Sequence, residues 1–199
     1  MDSGGTISSE RAVITAARNV QLQSGDIQAT NTSVTATSGA ITENNGYVVN
    51  AGTLNVAAGQ GIELSSEANK LKNVVIDDAG ASVTIVSGND AAGDLNVSTA
   101  QGTTVNDSIS VTNVAIGSTP NKIVVDKALQ ASGDITLTNK EADIDITEGG
   151  TINSDHVIMN AANDILLNGG TVDSDNVSIT ATNDVLFNSG LIDAETMLI

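Results

Sequence analysis

Two carboxylates stand two residues apart in Ala142-Asp143-Ile144-Asp145-Ile146. Paired carboxylates do the work of glycoside hydrolysis, one as acid and the other as base or nucleophile. On a strand, side chains two apart point the same way, so Asp143 and Asp145 share the outer face. The repeat described below puts Leu166 and Leu186 opposite Asp145 in the following turns. The only aromatic residues of the chain are Tyr47 and Phe187, so no ring platform stands there to stack a sugar. The pair is expected to be a solvated charge pair, with no catalytic residue and no enzymatic activity.

Other chemistry is sparse. His156 is the single histidine and Cys is absent, which leaves little to hold a transition metal. Its counterpart one repeat later is Asn176, at a corner, so His156 is expected as an exposed turn residue. Asp155, Asp175 and Glu195 recur at one corner position, with Glu10 in an N-terminal copy. A column of like charges about 4.8 Å apart repels itself unless solvent or a cation relieves it. No cofactor is expected; Ca²⁺ is the one ion this column could take, although the repeat GGxGxDxUx of calcium-binding rolls is absent. Asn163 and Asn183 are placed to form an amide ladder. The Thr-x-Thr pairs at Thr35, Thr136 and Thr180 form no regular array, since Asn160 and Ala162 interrupt it. The Asn-x-Ser/Thr sites at Asn31, Asn96, Asn106 and Asn176 are what chance gives in a chain of this composition.

The element that carries all these residues is a repeat. Thr151 to Gly170 reads TINSDHVIMNAANDILLNGG and Thr171 to Gly190 reads TVDSDNVSITATNDVLFNSG, with ten of 20 positions identical. A third copy runs from Leu191 to Ile199. Thr6 to Gly25 matches Thr171 to Gly190 at eight of 20 positions without a gap, so the same register is expected at both ends. Within a unit the apolar residues alternate: Val157 and Met159, Ile165 and Leu167, with Ile152 in a third segment. Val177 and Ile179, Val185 and Phe187, and Val172 repeat the pattern. Alternation marks strands, and the Asn, Asp, Ser and Gly between them mark corners. The ten residues are the expected core of an all-β, right-handed parallel β-helix with about 20–22 residues and three short strands per turn.

One such solenoid spans residues 1–199, with about nine turns and a length on the order of 45 Å. Residues 66–130 keep the apolar pairs but lose the even spacing, and longer loops are expected there. Asn69-Lys70-Leu71 and Asn121-Lys122-Ile123 look alike within this stretch, and the lone Pro120 follows Gly117-Ser118-Thr119 in a loop. The net charge of −17 and the pI of about 4.1 argue against a nucleic-acid partner. No apolar run is long enough for membrane insertion. Met1-Asp2-Ser3-Gly4-Gly5 has neither the basic start nor the apolar run of a signal peptide.

Gly133-Asp134-Ile135-Thr136-Leu137-Thr138, Ser178-Ile179-Thr180-Ala181-Thr182-Asn183-Asp184-Val185 and Gly170-Thr171-Val172-Asp173-Ser174 resemble the shaft repeats of filamentous haemagglutinin-like exoproteins. The resemblance is closest over residues 3–42 and 131–199. It implies a secreted bacterial structural rod, extracellular or on the cell surface, exported by two-partner secretion and acting in adhesion or as a filament. The family's Asn-Pro-x-Gly secretion motif is absent, and the host receptor or glycan is unidentified. The competing class is a polysaccharide-active or carbohydrate-binding β-helix. At the end of the chain, Met197, Leu198 and Ile199 stop in mid-strand. Ile199 corresponds to Ile179, and Met1 to Leu166 and Leu186. Either self-association end to end or flanking repeats of a longer chain would continue the helix there.

Overall fold

The computed structural model describes residues 5–44, 47–88, 93–114 and 120–199, except for the side chain of Tyr47. The readings made for Met1 to Gly4 and for Gly117-Ser118-Thr119 lie outside the described residues. Pro120 is exposed and lies outside the strands. The regular structure among the described residues is entirely β, in 17 strands whose pairings are all parallel. The fold is a parallel β-solenoid of about nine turns.

One wall runs the whole length. Its rungs are Val20, Ile41, Ile62, Val83, Ile109, Ile135, Val157, Val177 and Met197, each the parallel partner of the next. Beside it the row Ile85, Val111, Leu137, Met159, Ile179 follows the same order. The buried side chains of these rows form one continuous core with the interiors of the other walls. Each fully buried Val, Ile or Leu contributes roughly 1.5–3 kcal/mol. The sheet edges are satisfied by the turn above and the turn below, except at the two ends.

The segments read as three short strands per turn often run on through a corner. Thr151–Ala161 is one strand, and its pairing with Ile165–Ala181 skips only Asp155. Gly25 and Gly190 end equivalent units and have φ of 114° and 116°. A Cβ on either would overlap the carbonyl oxygen of the glycine one turn below, Gly5 or Gly170. A positive φ and this close approach both require glycine.

The two ends do not share a register, contrary to the sequence expectation. In the N-terminal turns the chain passes from a wall containing Ile7, Ile27 and Val49 to one containing Leu54 and Val74, and then to the Val20–Met197 wall. In the C-terminal turns it passes from the Leu54–Val74 wall, now Ile146 and Leu167, to a wall containing Leu129, Ile152 and Val172. Only then does it reach Val157. Val20, which matches Val185 in the sequence repeat, therefore stands in the column of Val157. The exchange of walls occurs where Val83, Ile109 and Ile135 succeed one another at intervals of 26 residues, not 20–22. Gly88 N still bonds Asn69 O on the first wall, and Val105 already bridges to Ala131 on the new one. This change of walls falls within the stretch 66–130, where the apolar spacing is uneven.

Of the ten expected core residues, Ile152, Val157, Met159, Ile165, Leu167, Val172, Val177 and Ile179 are buried. Phe187 is not: it stacks on Leu167 but is 49% exposed. Val185 is only half-buried. Both lie on the last rung of their wall, where no further described turn covers them.

Candidate functional site

The paired carboxylates sit in an organised polar cluster on the outside of the solenoid. Ile144–Thr147 places Asp145 between Val124 and Leu166 on neighbouring turns. Lys122 Nζ lies 3.4 Å from Asp143 Oδ2 and 3.4 Å from Asp145 Oδ2. Asp143 Oδ1 accepts hydrogen bonds from Asn163 Nδ2 at 2.6 Å and Asp164 N at 3.2 Å. Asp145 Oδ1 accepts one from Asn168 Nδ2 at 2.8 Å.

The expectation of a freely solvated pair is corrected here. The side chains of Asp143 and Asp145 are only 16% and 12% exposed, because Lys122 and the amides of the next turn cover them. Burial pushes Asp143 up, but Asn163, Asp164 N and Lys122 outweigh it and hold the carboxyl below its ordinary value. Burial pulls Lys122 down, yet Asp145 and Asp143 outweigh it and hold the ammonium above its ordinary value. A general acid near neutrality needs a raised carboxyl, and a nucleophile needs a free face. Asp143 has the opposite shift, and both carboxylates are already engaged. What the arrangement does is fasten three successive turns together.

The other expected residues fall apart into separate contacts. His156 Nδ1 lies 2.7 Å from Asp134 Oδ1, with both side chains half exposed, and His156 pairs with Asn176 as the repeat indicates. Asp155, Asp175 and Glu195 are exposed at one corner in successive turns, and Glu10 lies at a different corner because the walls are exchanged. Among the described residues no three His, Cys, Asp or Glu side chains converge to hold a metal ion. Asn163 and Asn183 form no amide ladder with each other. They donate to Asp143 and to Asp164, each one turn back.

Two polar features inside the solenoid had no place in the sequence reading. Asn113 and Asn139 stack in the interior, with Asn113 Nδ2 donating to Asn121 O at 2.9 Å and to Asn139 Oδ1 at 3.4 Å. The parallel phrases Ile109-Ser110-Val111-Thr112-Asn113 and Ile135-Thr136-Leu137-Thr138-Asn139 are the signal that could have found them. The second feature is Glu43, which is 5% exposed. It occupies the position after Leu22 in the interior row that otherwise continues through Leu64 and Ile85.

No family model matches the chain, and neither the curated proteins nor the solved structures contain a match. The class is therefore defined by the geometry alone: a parallel β-solenoid with one unbroken core.

Proposed function

We propose that this chain is a structural rod: a shaft segment of a secreted bacterial surface adhesin, or a subunit of an extracellular filament built of the same solenoid. The observation that carries the reading is the continuous wall, in which residues from Val20 to Met197 pair turn on turn over one core. In the last described turn, Phe187 and Met197 stand in the interior columns of Leu167 and Val177 yet are 49% and 51% exposed, on a strand whose outer edge is unpaired among the described residues. An open β edge with an apolar interior is a template for a further strand layer. A further solenoid turn, from a second copy or from continuing chain, fits it by the pairing that joins every other turn. The heterologous, non-closing character of such a contact leads to a fibre. The resemblance to filamentous haemagglutinin-like shaft repeats and the charge of −17, which keeps stacked strands soluble, agree with this.

Electron microscopy and sedimentation of the purified protein test it. Rods that lengthen with concentration are expected. Particles that stay at the mass of one chain at high concentration, with no longer solenoid encoded around them, would sink the reading. Reducing-end release from polysaccharides, lost in D143N or D145N, would overturn it in favour of an enzyme.

A further inference from the structure

Glu43 ends the short strand Ile41–Glu43 on the continuous wall, and alternation turns its side chain into the core with Ile41. Its Oε2 accepts hydrogen bonds from Ser66 N and from Asn69 Nδ2, both at 2.9 Å. Its Oε1 is buried and has no partner among the described residues. Asn69 is itself fully buried. Its Nδ2 also reaches Val86 O at 3.3 Å, and its Oδ1 accepts from Val49 N at 2.7 Å. Its carbonyl takes Gly88 N at 2.8 Å and Ser87 Oγ at 3.3 Å. The pair thus ties together residues 43, 49, 66 and 86, from successive turns. It does so on the side where the first wall gives way.

We propose that Glu43 and Asn69 are a proton-operated clasp, which fastens these turns when Glu43 is protonated and loosens them when it ionises. A neutral carboxyl keeps the two accepted bonds and carries its proton on the solitary oxygen. An ionised one leaves a charged oxygen in the core without a donor, which is among the costliest arrangements a protein interior can hold. Among the described residues no counter-charge relieves it. Glu63 on the adjoining Ile62–Leu64 and Glu67 in the next corner are exposed, and Asp26 on Gly25–Ala36 is bound to Gln28 and Thr6. On Lys70–Ala79, Lys72 is exposed and Lys70 half-buried. None of these contributes to the proton affinity of Glu43. Burial pushes it up, the bonds from Ser66, Asn69 and Ser65 pull it partly back, and the outcome is about 7.

That folded value lies above the ordinary 4.5, so the folded chain holds the proton more tightly than the unfolded one. The contribution is complete at low pH, falls between 4.5 and about 7, and is gone above. A carboxyl ¹³C titration of the whole protein, with amide hydrogen exchange at Val49 and Ser66, tests the clasp. Glu43 is expected to titrate near neutrality. The opening equilibrium of those two amides should rise on the order of a hundredfold between about pH 5 and pH 8, after correction for intrinsic exchange. The distant Val172 amide should not follow, and E43Q should abolish the dependence. A Glu43 midpoint in the ordinary carboxylate range, or an E43Q protein that keeps the same dependence, would overturn the proposal. If E43Q does not fold, the wild-type titration and exchange decide alone. Neither outcome bears on the rod reading, because the clasp lies far from the open turn.

Discussion

Ile109 lies against Val83 as its parallel partner, 26 positions further along the chain. The next step on this wall, to Ile135, also takes 26 residues, and the remaining steps take 20–22. The extra length lets the chain begin a new wall at Val105. The solenoid therefore changes its cross-section without breaking its core, since Val83, Val105 and Ile109 are all at most 1% exposed.

Val105 is accordingly a core residue, although in Thr103-Thr104-Val105-Asn106-Asp107 it stands alone among polar neighbours. Val105→Asp should cost at least about 3 kcal/mol by burying an unpaired carboxylate. Val13, in the apolar run Ala12-Val13-Ile14, is 57% exposed, and Val13→Asp should stay within roughly 0.5 kcal/mol. Chemical denaturation of the two variants checks the contrast. Equal losses would contradict the placement of Val105 inside.

Gly25 and Gly190 should tolerate no side chain. Gly25→Ala has to adopt a left-handed φ and push its Cβ into the Gly5 carbonyl, at a cost of about 2 kcal/mol or more. Gly93 also has a positive φ, 94°, but nothing lies within 4 Å of its Cβ position, so Gly93→Ala meets only the backbone term of about 1 kcal/mol. Melting temperatures rank the two.

Removing the cation between Asp143 and Asp145 should loosen the turns that Lys122 joins. Lys122→Met leaves two carboxylates side by side, and because the ammonium is 35% exposed the loss is about 1 kcal/mol after solvent screening. Asp143 lies below its ordinary 3.8 in the folded chain, so its contribution is present above that pH and lost on further acidification. In Lys122→Met the Asp143 midpoint should move upward, which a carboxyl titration reads directly. An unmoved midpoint would show that Asn163 and Asp164 N alone hold the carboxylate.

How much of this was legible depended on what the pattern could encode. The pairs Val157 with Met159 and Ile165 with Leu167 announced strands and a stacked core. Alternation sends both members of a pair to one face, and a 20-residue period sets each pair on its equivalent one turn away. The change of wall was not legible, since Val20-Gln21-Leu22 looks the same whichever wall it lines. Glu43 was hidden for another reason. Ile41 and Glu43 are two apart, so geometry pointed the carboxylate inward while its charge argued for solvent. Only the column with Leu22 decides the matter, and a column needs the register. Phe187 was misplaced because a repeat reads as interior at every copy, whereas burial at the last copy requires a turn beyond it.

That difference between equivalent positions gives the test of assembly. Ile165 is 1% exposed, and Ile165→Asp should unfold the C-terminal turns whatever the state of association, by several kcal/mol. Phe187 and Met197 stand in the interior columns of Leu167 and Val177 but are 49% and 51% exposed, so Phe187→Asp and Met197→Asp should barely change the melting of an isolated chain. If a further solenoid turn covers this end, the same substitutions place a carboxylate in the buried junction and should abolish end-to-end growth. Sedimentation of the wild type against the two variants, at equal concentration, separates the cases. Association that survives both substitutions would mean that the open C-terminal turn is not the contact.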